Sequence, residues 1–200
     1  MKLSQKFGVL CITLVITSCA SMQPSLPEVQ IPPERISQKG YSLVPLNEKG
    51  WLIAGRNAYQ LALVKRGENP DETFAIQAIP FRLSAFKTNE DFVRLIKEGQ
   101  AKDTDSQRFK IVKHEVTSHP ANGTSCVKSH MVTEDRAAVK RSGKSGDMVL
   151  EALTLTCAHP KDKSVGISII YSQRYYPEQR DSAFVEKATR VLSSVEFTDL

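Results

Sequence analysis

Alternating hydrophobic and polar positions dominate the second half of the chain. Four β-rich stretches follow one another there, joined by three loops, at residues 108–117, 125–136, 148–157 and 165–175. The dipeptide Asn122-Gly123 in the first loop is typical of a tight β-hairpin. Because short connections join antiparallel neighbours, this pattern predicts a four-stranded antiparallel meander.

The first half of the chain predicts shorter elements. Short β-prone stretches lie at residues 41–45, 51–54, 59–64 and 73–79. Thr88 is expected to cap a helix, because Asp91 follows in a capping-box-like position and an apolar face comes next. Gly99 is expected to end that helix.

A second helix is predicted over residues 181–194, with Asp181 or Ser182 as its cap. Its apolar side chains recur with helical spacing on one face: Phe184, Ala188, Val191, Leu192 and Val195. Together with the strands, the two helices predict one α+β domain in which helices flank an antiparallel β-sheet.

The N-terminus has a different character. Lys2 and Lys6 flank the start of a ten-residue apolar run over residues 7–16. This run is shorter than the roughly 20 residues that span a bilayer, but it suits a secretory signal. Residues 1–18 are therefore predicted to be a signal peptide.

The tetrapeptide Ile16-Thr17-Ser18-Cys19 closes the apolar run and resembles the lipid-attachment box of bacterial lipoproteins. The resemblance implies cleavage before Cys19, a diacylglycerol on its sulfur and an acylated N-terminus that anchors the chain in a membrane. Ala20 and Ser21 follow the cysteine, and the lack of an aspartate there implies sorting to the periplasmic face of the outer membrane. The alternative is an ordinary signal peptide that leaves Cys19 free.

Residues 20–38 contain four prolines and no periodic apolar pattern. We therefore predict that residues 19–38 form a proline-rich tether and that residues 39–200 form a single domain. The formal charge of the whole chain is +5, and removal of Lys2 and Lys6 leaves +3. Such a mild charge argues against a dedicated nucleic-acid-binding protein.

The order of these elements carries a second resemblance. Residues 184–197 combine an amphipathic helix with a short Ser-Ser-Val-Glu-Phe tail, and with the preceding strands they resemble the PsbP-like α/β/α sandwich. The resemblance covers residues 40–200 and implies an antiparallel sheet between helices. It brings no catalytic motif with it, and a fold alone does not define a function.

Cys126 and Cys157 remain after removal of Cys11 and lipidation of Cys19. An even pair in an exported protein predicts a disulfide. If the loop between their strands is centred near residues 141–142, the two cysteines lie directly opposite each other with their side chains on one face.

A zinc site is the competing interpretation of these cysteines. A hairpin centred on residues 122–123 places His119 opposite Cys126, and His159 lies two residues beyond Cys157 on the same face. His119, Cys126, Cys157 and His159 would then form a two-cysteine, two-histidine site. The same alignment places Glu115 opposite His130, as a charge pair on the solvent side.

Two surface patches are candidate contact sites. The loop after residue 135 carries Arg136, Lys140, Arg141 and Lys144, which suits anionic lipid headgroups or glycan phosphates, or else a solvated hairpin loop. The second patch groups residues of a type common at binding hot spots: Tyr171, Arg174, Tyr175 and Tyr176.

The sequence lacks the G-x-S-x-G and H-E-x-x-H motifs. The leading hypothesis is a non-enzymatic outer-membrane lipoprotein that acts as a binding or assembly module. Its expected partners are the membrane, through the anchor, and an envelope protein, with no nucleic acid and no cofactor. The alternative is an envelope enzyme or a metal-dependent protein that uses the histidine–cysteine cluster.

Overall fold

The computed structural model describes residues 25–121 and 123–200. The predicted signal peptide, the lipid-attachment box, Cys11 and Cys19 lie outside the described residues, as does Asn122. The structural account below concerns the domain and the last part of the predicted tether.

Ten strands and two α-helices make up the described chain, with a 3-10 turn at Pro177–Gln179. In chain order they are β1 Ile36–Gln38, β2 Tyr41–Leu43, β3 Leu52–Arg56, β4 Leu61–Arg66, β5 Thr73–Arg82, α1 Asn89–Asp103, β6 Phe109–Ser118, β7 Cys126–Asp135, β8 Met148–Ala158, β9 Val165–Tyr175, α2 Phe184–Ser193 and β10 Glu196–Phe197.

Seven of the strands form one antiparallel sheet in the order β3-β4-β5-β9-β8-β7-β6. The predicted meander is confirmed as β6 to β9. Strand β5 pairs with β9 over ten residues, from Thr73 opposite Arg174 to Arg82 opposite Val165. This pairing joins the first half of the chain to the second. The short strands β1, β2 and β10 form a separate three-stranded sheet.

The large sheet lies between two layers. Successive strand residues point to opposite faces, so Cys157 and Ala158 mark the two sides. The Cys157 side, called the α2 face, packs against α2 and the small sheet in the main core. The Ala158 side, called the α1 face, packs against α1 through Phe92 and Ile96. The predicted α+β class, with helices flanking an antiparallel sheet, is confirmed.

Helix α2 buries the predicted apolar stripe. All five side chains are at most 5% exposed: Phe184, Ala188, Val191, Leu192 and Val195. The helix begins three residues later than predicted, because the Asp181 carboxylate accepts a hydrogen bond from the Ala183 backbone N–H at 2.8 Å and forms a turn ahead of it. Within the described ranges, neither α1 nor α2 is long and apolar enough to cross a membrane.

Helix α1 begins as predicted and ends later. The Thr88 hydroxyl accepts a hydrogen bond from the Asp91 backbone N–H at 3.1 Å, which confirms the cap. The predicted end at Gly99 is wrong, because the helix continues to Asp103. The Gln100 amide donates to Ser129 on β7 at 2.9 Å, so contact with the sheet outweighs the low helix propensity of glycine.

We expect Thr88→Ala to lower the free energy of unfolding by about 1 kcal/mol, because one backbone N–H at the start of α1 loses its acceptor. Urea denaturation followed by the fluorescence of Trp51 measures this change. The matched control is Thr88→Ser, which keeps the hydroxyl and should retain most of the stability. Equal losses in the two variants would contradict the assigned cap.

The predicted domain boundary at residue 39 lies too late. The Pro27 carbonyl accepts a hydrogen bond from Ile53 N–H at 2.7 Å, and Val29 N–H donates to the Trp51 carbonyl at 2.8 Å. Val29 is buried in the main core, and residues 36–38 form β1. Prolines lack a donor but keep their carbonyl acceptor, so this proline-rich segment still attaches to the edge strand β3.

Strand β6 forms the other edge of the large sheet and contains a β-bulge between Ile111 and Lys113. Val112, in the bulge, is 60% exposed. Ile111 before it is 39% exposed, and the charged neighbours are paired: Lys110 lies 3.1 Å from Glu134, and Lys113 lies 3.0 Å from Glu115. This edge is therefore irregular and carries paired charges beside the two apolar residues.

Candidate functional site

The two cysteines of the domain form a disulfide. Cys126 lies directly opposite Cys157 in the β7–β8 pair, and their sulfur atoms are 2.08 Å apart. The β7–β8 register is the one predicted from a loop centre near residues 141–142. The other hairpin also has its predicted alignment, because His119 N–H donates to the Cys126 carbonyl at 2.8 Å. The predicted disulfide is confirmed.

The structure gives no support to the zinc alternative. The sulfurs of Cys126 and Cys157 are bonded to each other. His159 is fully buried, with Nε2 3.1 Å from the Thr198 carbonyl and Nδ1 3.3 Å from Lys161 N–H. His119 lines a cavity of about 210 Å³ beside the disulfide. In residues 25–121 and 123–200, no group of three or more His, Cys, Asp or Glu side chains is placed to hold a metal ion.

A buried carboxylate, Glu151, organises the polar end of the α2 face. Arg180 donates two hydrogen bonds to it at 2.7 and 2.8 Å, Tyr175 donates one at 2.8 Å, and His130 Nε2 lies 2.8 Å away. Burial by itself would raise the pKa of Glu151, but these partners outweigh it and hold the pKa below its usual range. The chain's own side chains thus occupy both carboxylate oxygens.

This cluster corrects the prediction for His130. Glu115 does lie opposite His130 in the β6–β7 pair. The two do not form the predicted solvent-side charge pair, because His130 contacts Glu151 and Glu115 contacts Lys113. Glu151 is the diagonal neighbour of His130 on β8, and its buried carboxylate is held in place by other partners. His130 therefore contacts Glu151 and not the exposed Glu115.

A second buried carboxylate, Asp71, holds the basic loop over residues 136–147. It accepts hydrogen bonds from the backbone N–H groups of Arg141 and Ser142, from the Ser142 hydroxyl, and from the Tyr176 hydroxyl at 2.8 Å. The hydrogen bond from the Ser142 hydroxyl, assisted by the others, keeps the pKa of Asp71 well below its usual range. The loop is therefore attached to the β4–β5 turn and is more than a solvated hairpin connection.

The four basic residues of this loop divide into two kinds. Lys144 pairs with Glu178 at 2.7 Å and lies over the Tyr176 ring, and Lys140 donates to the Gly146 carbonyl. Arg136 and Arg141 form no ion pair with any residue in the described ranges. The loop thus does not present all four charges together as one contact patch.

We expect Asp71→Asn to loosen this loop, because the single amide oxygen cannot accept from all four donors as the two carboxylate oxygens do. Limited digestion with trypsin should then cleave the 136–147 loop roughly tenfold faster than in the wild-type protein, as local opening becomes easier. Mass spectrometry of the fragments identifies the sites. Asp162→Asn, in another exposed turn, is the control and should leave cleavage of this loop unchanged.

The predicted tyrosine patch does not form a surface. Tyr171, Tyr175 and Tyr176 are at most 5% exposed. Burial raises the pKa of Tyr175, and the hydrogen bond to Glu151 adds to this rise. Tyrosines near the end of a strand suggest a contact surface, but here the Tyr175 and Tyr176 hydroxyl groups donate to the buried carboxylates of Glu151 and Asp71. Arg174 alone remains partly exposed.

The α1 face of the large sheet is open where α1 does not cover it, and a cavity of about 370 Å³ lies beside the helix. Its walls are largely apolar and include Ile79, Phe81, Leu95 and Ile170. The Phe81 ring lies over Gly166, where an added Cβ would come within 2.3 Å of the ring. Glycine at this position therefore lets the Phe81 ring lie close against β9, where it lines the cavity.

A second cavity of about 500 Å³ continues the same face toward the basic loop, and it is lined by Arg66, Arg141 and Arg174. Arg174 Nε lies 2.9 Å from the buried Asp135 carboxylate, although its N–H does not point along that line. Arg108 also binds Asp135, with two hydrogen bonds of 2.9 Å. Burial alone would raise the pKa of Asp135, but the two arginines hold it below its usual range.

The two cavities are parts of one surface. Gln77 lines the arginine cavity and lies directly opposite Ile170, which lines the apolar cavity. Ser172, two residues further on the same face of β9, lies opposite Ala75, and both belong to the arginine cavity. We call this continuous surface the sheet-face groove: apolar at the α1 end and cationic at the end near the basic loop.

A larger cavity of about 650 Å³ lies near the start of α2, and three of its four basic side chains are already paired with carboxylates. Lys187 lies 2.8 Å from Asp181, and Lys65 lies 2.6 Å from Glu48. Arg180, which also lines this cavity, binds Glu151. Arg66 lines both this cavity and the sheet-face groove, and the described part of the chain offers neither Arg66 nor Arg141 an ion-pair partner.

Sequence reasoning named Arg141 and Arg174 as contact residues but missed Arg66, Ile79 and Ile170. No motif identifies these residues, since they lie on different strands. The strongest available signal is Ile79, a large apolar residue that the alternation of β5 assigns to the face opposite the core, where it is 36% exposed.

Comparison with known proteins shows a likeness to solved structures. The chain is similar to the solution structure of cyanobacterial PsbP (CyanoP) from Synechocystis sp. PCC 6803, with a TM-score of 0.43 and 16% sequence identity. The aligned part covers 92% of this chain and 99% of that chain. No protein-family model matches the sequence, and no curated protein matches it either.

Proposed function

We propose that this chain is a lipid-anchored lipoprotein of the bacterial envelope, held on the periplasmic face of the outer membrane. Its domain, which we assign to the PsbP-like α/β/α sandwiches on its order of elements and layers, acts as a non-enzymatic binding module. The sheet-face groove is its binding surface. The observation that carries this proposal is the pairing of open apolar surface with arginines that have no ion-pair partner in the described chain.

The buried carboxylates support binding over chemistry at this domain. Glu151, Asp71 and Asp135 are each surrounded by donors from the chain itself. A general acid or base must instead reach a proton on a substrate. These three groups therefore serve the fold, and the groove itself is lined mainly by apolar and cationic side chains, with the acidic Asp103 at its apolar end.

Two observations support export and anchoring. The box Ile16-Thr17-Ser18-Cys19 follows a basic and then an apolar segment of the right length for a secretory signal. The disulfide between Cys126 and Cys157 belongs to an oxidising compartment, since cytosolic thiols are kept reduced.

The anchor is tested by intact mass spectrometry of the protein from its native host, together with metabolic labelling by palmitate. Acyl groups on Cys19 and recovery in outer-membrane fractions are expected. The control is Cys19→Ser, which should carry no label and should leave the membrane fraction. An unacylated wild-type chain, or label that persists in the variant, would overturn the lipoprotein assignment.

The groove is tested by a photo-crosslinking amino acid placed at Ile79 in living cells. Adducts with a protein or lipid of the envelope are expected at this position. The matched control is Val185, an exposed apolar residue of α2 on the opposite side of the sheet. Equal adducts at the two positions, or none at Ile79, would remove the groove as the binding surface.

A further inference from the structure

From the sheet-face groove we infer that the domain binds an anionic amphiphile, with a single alkyl chain in the apolar half and a carboxylate or phosphate group at the arginine end. This inference rests on the proposed function, because it names the ligand class of the same groove.

The apolar half fits an alkyl chain in size and chemistry. Its volume of about 370 Å³ is at the lower end of the range for small-ligand pockets. Ile79, Leu95 and Ile170 supply branched aliphatic walls, and Phe81 adds an aromatic ring to the lining. The charged residues that line this half are Arg82 and Asp103, which have opposite signs.

The floor of the groove favours an alkyl chain over an extended peptide. Strand β9 pairs with β5 and β8 along nearly all its length, and β5 pairs with β9 throughout and with β4 as far as Ala78, so most of their backbone N–H and C=O groups are already paired. A peptide lying across this face would find few partners for its own backbone, and unpaired backbone groups are costly to bury. An alkyl chain has no such groups.

The cationic half fits a single anionic group. Arg66 and Arg141 have no ion-pair partner in the described ranges, and Arg174 is shared with Asp135. A guanidinium forms paired hydrogen bonds with a carboxylate or a phosphate. Ile170 and Arg174 are four residues apart on β9, which separates the apolar and cationic ends by about 13 Å. This spacing suits a medium-length alkyl chain.

The N-terminal segment leads to the cationic end. Leu26 lines the arginine cavity, and Pro27 is attached to β3. Cys19 lies seven residues before Leu26, so a covalent chain can separate the two by about 25 Å at most. An acylated Cys19 would therefore keep the arginine end near the membrane surface, where amphiphiles are concentrated.

Isothermal titration of the full chain carrying Cys19→Ser, which cannot be acylated, tests this inference with dodecanoate and dodecyl phosphate. Both should bind with one site per chain, and the stronger of the two identifies the head group. Dodecanol lacks the charge, and acetate and inorganic phosphate lack the chain. Each of these should bind at least tenfold more weakly, since each misses one half of the groove.

Substitutions in the sheet-face groove test whether the probe binds at this surface. Ile79→Gln and Arg66→Gln should each weaken binding of the preferred probe by about tenfold. The matched controls on α2, Val185→Gln and Arg190→Gln, should leave it unchanged. Binding that survives both groove variants, or is lost equally in the controls, would overturn the inference.

The inferred ligand class and the proposed binding surface can be contradicted separately. If neither dodecyl probe binds while Ile79 still forms envelope crosslinks, the inferred ligand class is wrong and the groove remains a binding surface for a protein. If an acidic, apolar peptide binds and the dodecyl probes do not, the same conclusion follows. If the dodecyl probes do not bind and Ile79 forms no crosslinks, the proposed function is contradicted as well.

Discussion

Replacing Glu151 with glutamine is expected to lower the free energy of unfolding by about 3 kcal/mol, at the low end for a broken buried ion pair because Arg180 is partly exposed. The variant leaves the Arg180 guanidinium without its carboxylate and replaces one of the two oxygens, which contact Tyr175 and His130 separately, with an NH2 group that cannot accept a hydrogen bond. Urea denaturation followed by the fluorescence of Trp51 measures the loss.

The matched control is Glu178→Gln. Glu178 also pairs with a basic residue, Lys144, at 2.7 Å, but both side chains are largely exposed. Surface ion pairs contribute little, so this variant should differ from the wild-type protein by less than about 1 kcal/mol. Equal losses in the two variants would show that the Glu151 cluster has no special structural role.

The pH dependence of the free energy of unfolding should distinguish the wild-type protein from Glu151→Gln. The pKa of Glu151 is lower in the folded than in the unfolded protein, where a glutamate titrates near pH 4.3. Its contribution is therefore complete above about pH 5 and is lost as the pH falls through the folded pKa. The stability difference between wild type and Glu151→Gln should shrink on acidification, whereas a constant difference would contradict this assignment.

Removing the disulfide with Cys126→Ala and Cys157→Ala together is expected to lower the free energy of unfolding by about 3–4 kcal/mol. The bond closes a loop with a sequence separation of 31 residues, and its loss restores that freedom to the unfolded chain. For a domain of this size the melting temperature should fall by roughly 10 °C. Dithiothreitol should cause a similar fall in the wild-type protein and none in the double variant.

Thiol titration of the denatured, unreduced protein provides the complementary measurement. The disulfide predicts no reactive thiol at Cys126 or Cys157. Two free thiols accompanied by stoichiometric zinc would instead restore the metal-site alternative with His119 and His159. A melting temperature that is insensitive to reductant would contradict the stabilising role of the bond.

The disulfide was predictable because the pairing of its two strands depends on one short stretch of sequence. Cys126 and Cys157 lie on consecutive strands, so the centre of one loop fixes which residues face each other. The buried stripe of α2 was predictable for a similar reason, since helical spacing over eleven residues identifies its inner face.

The groove was not predictable because it depends on a non-local pairing. Strand β5 lies beside β9, about 90 residues later in the chain, and alternation alone does not specify that partner. Arg66, Arg141 and Arg174 therefore meet without any motif in common. The basic loop was misjudged for a related reason: the residue that holds it, Asp71, belongs to a distant turn.

The bulge in β6 has a consequence for self-association. An edge strand normally offers a row of free N–H and C=O groups to which another molecule's strand can add. At β6 the bulge interrupts that row, and the paired Lys110 and Lys113 would have to be desolvated by any incoming strand. Many copies crowded together should therefore resist edge-to-edge polymerisation into fibres at this side of the sheet.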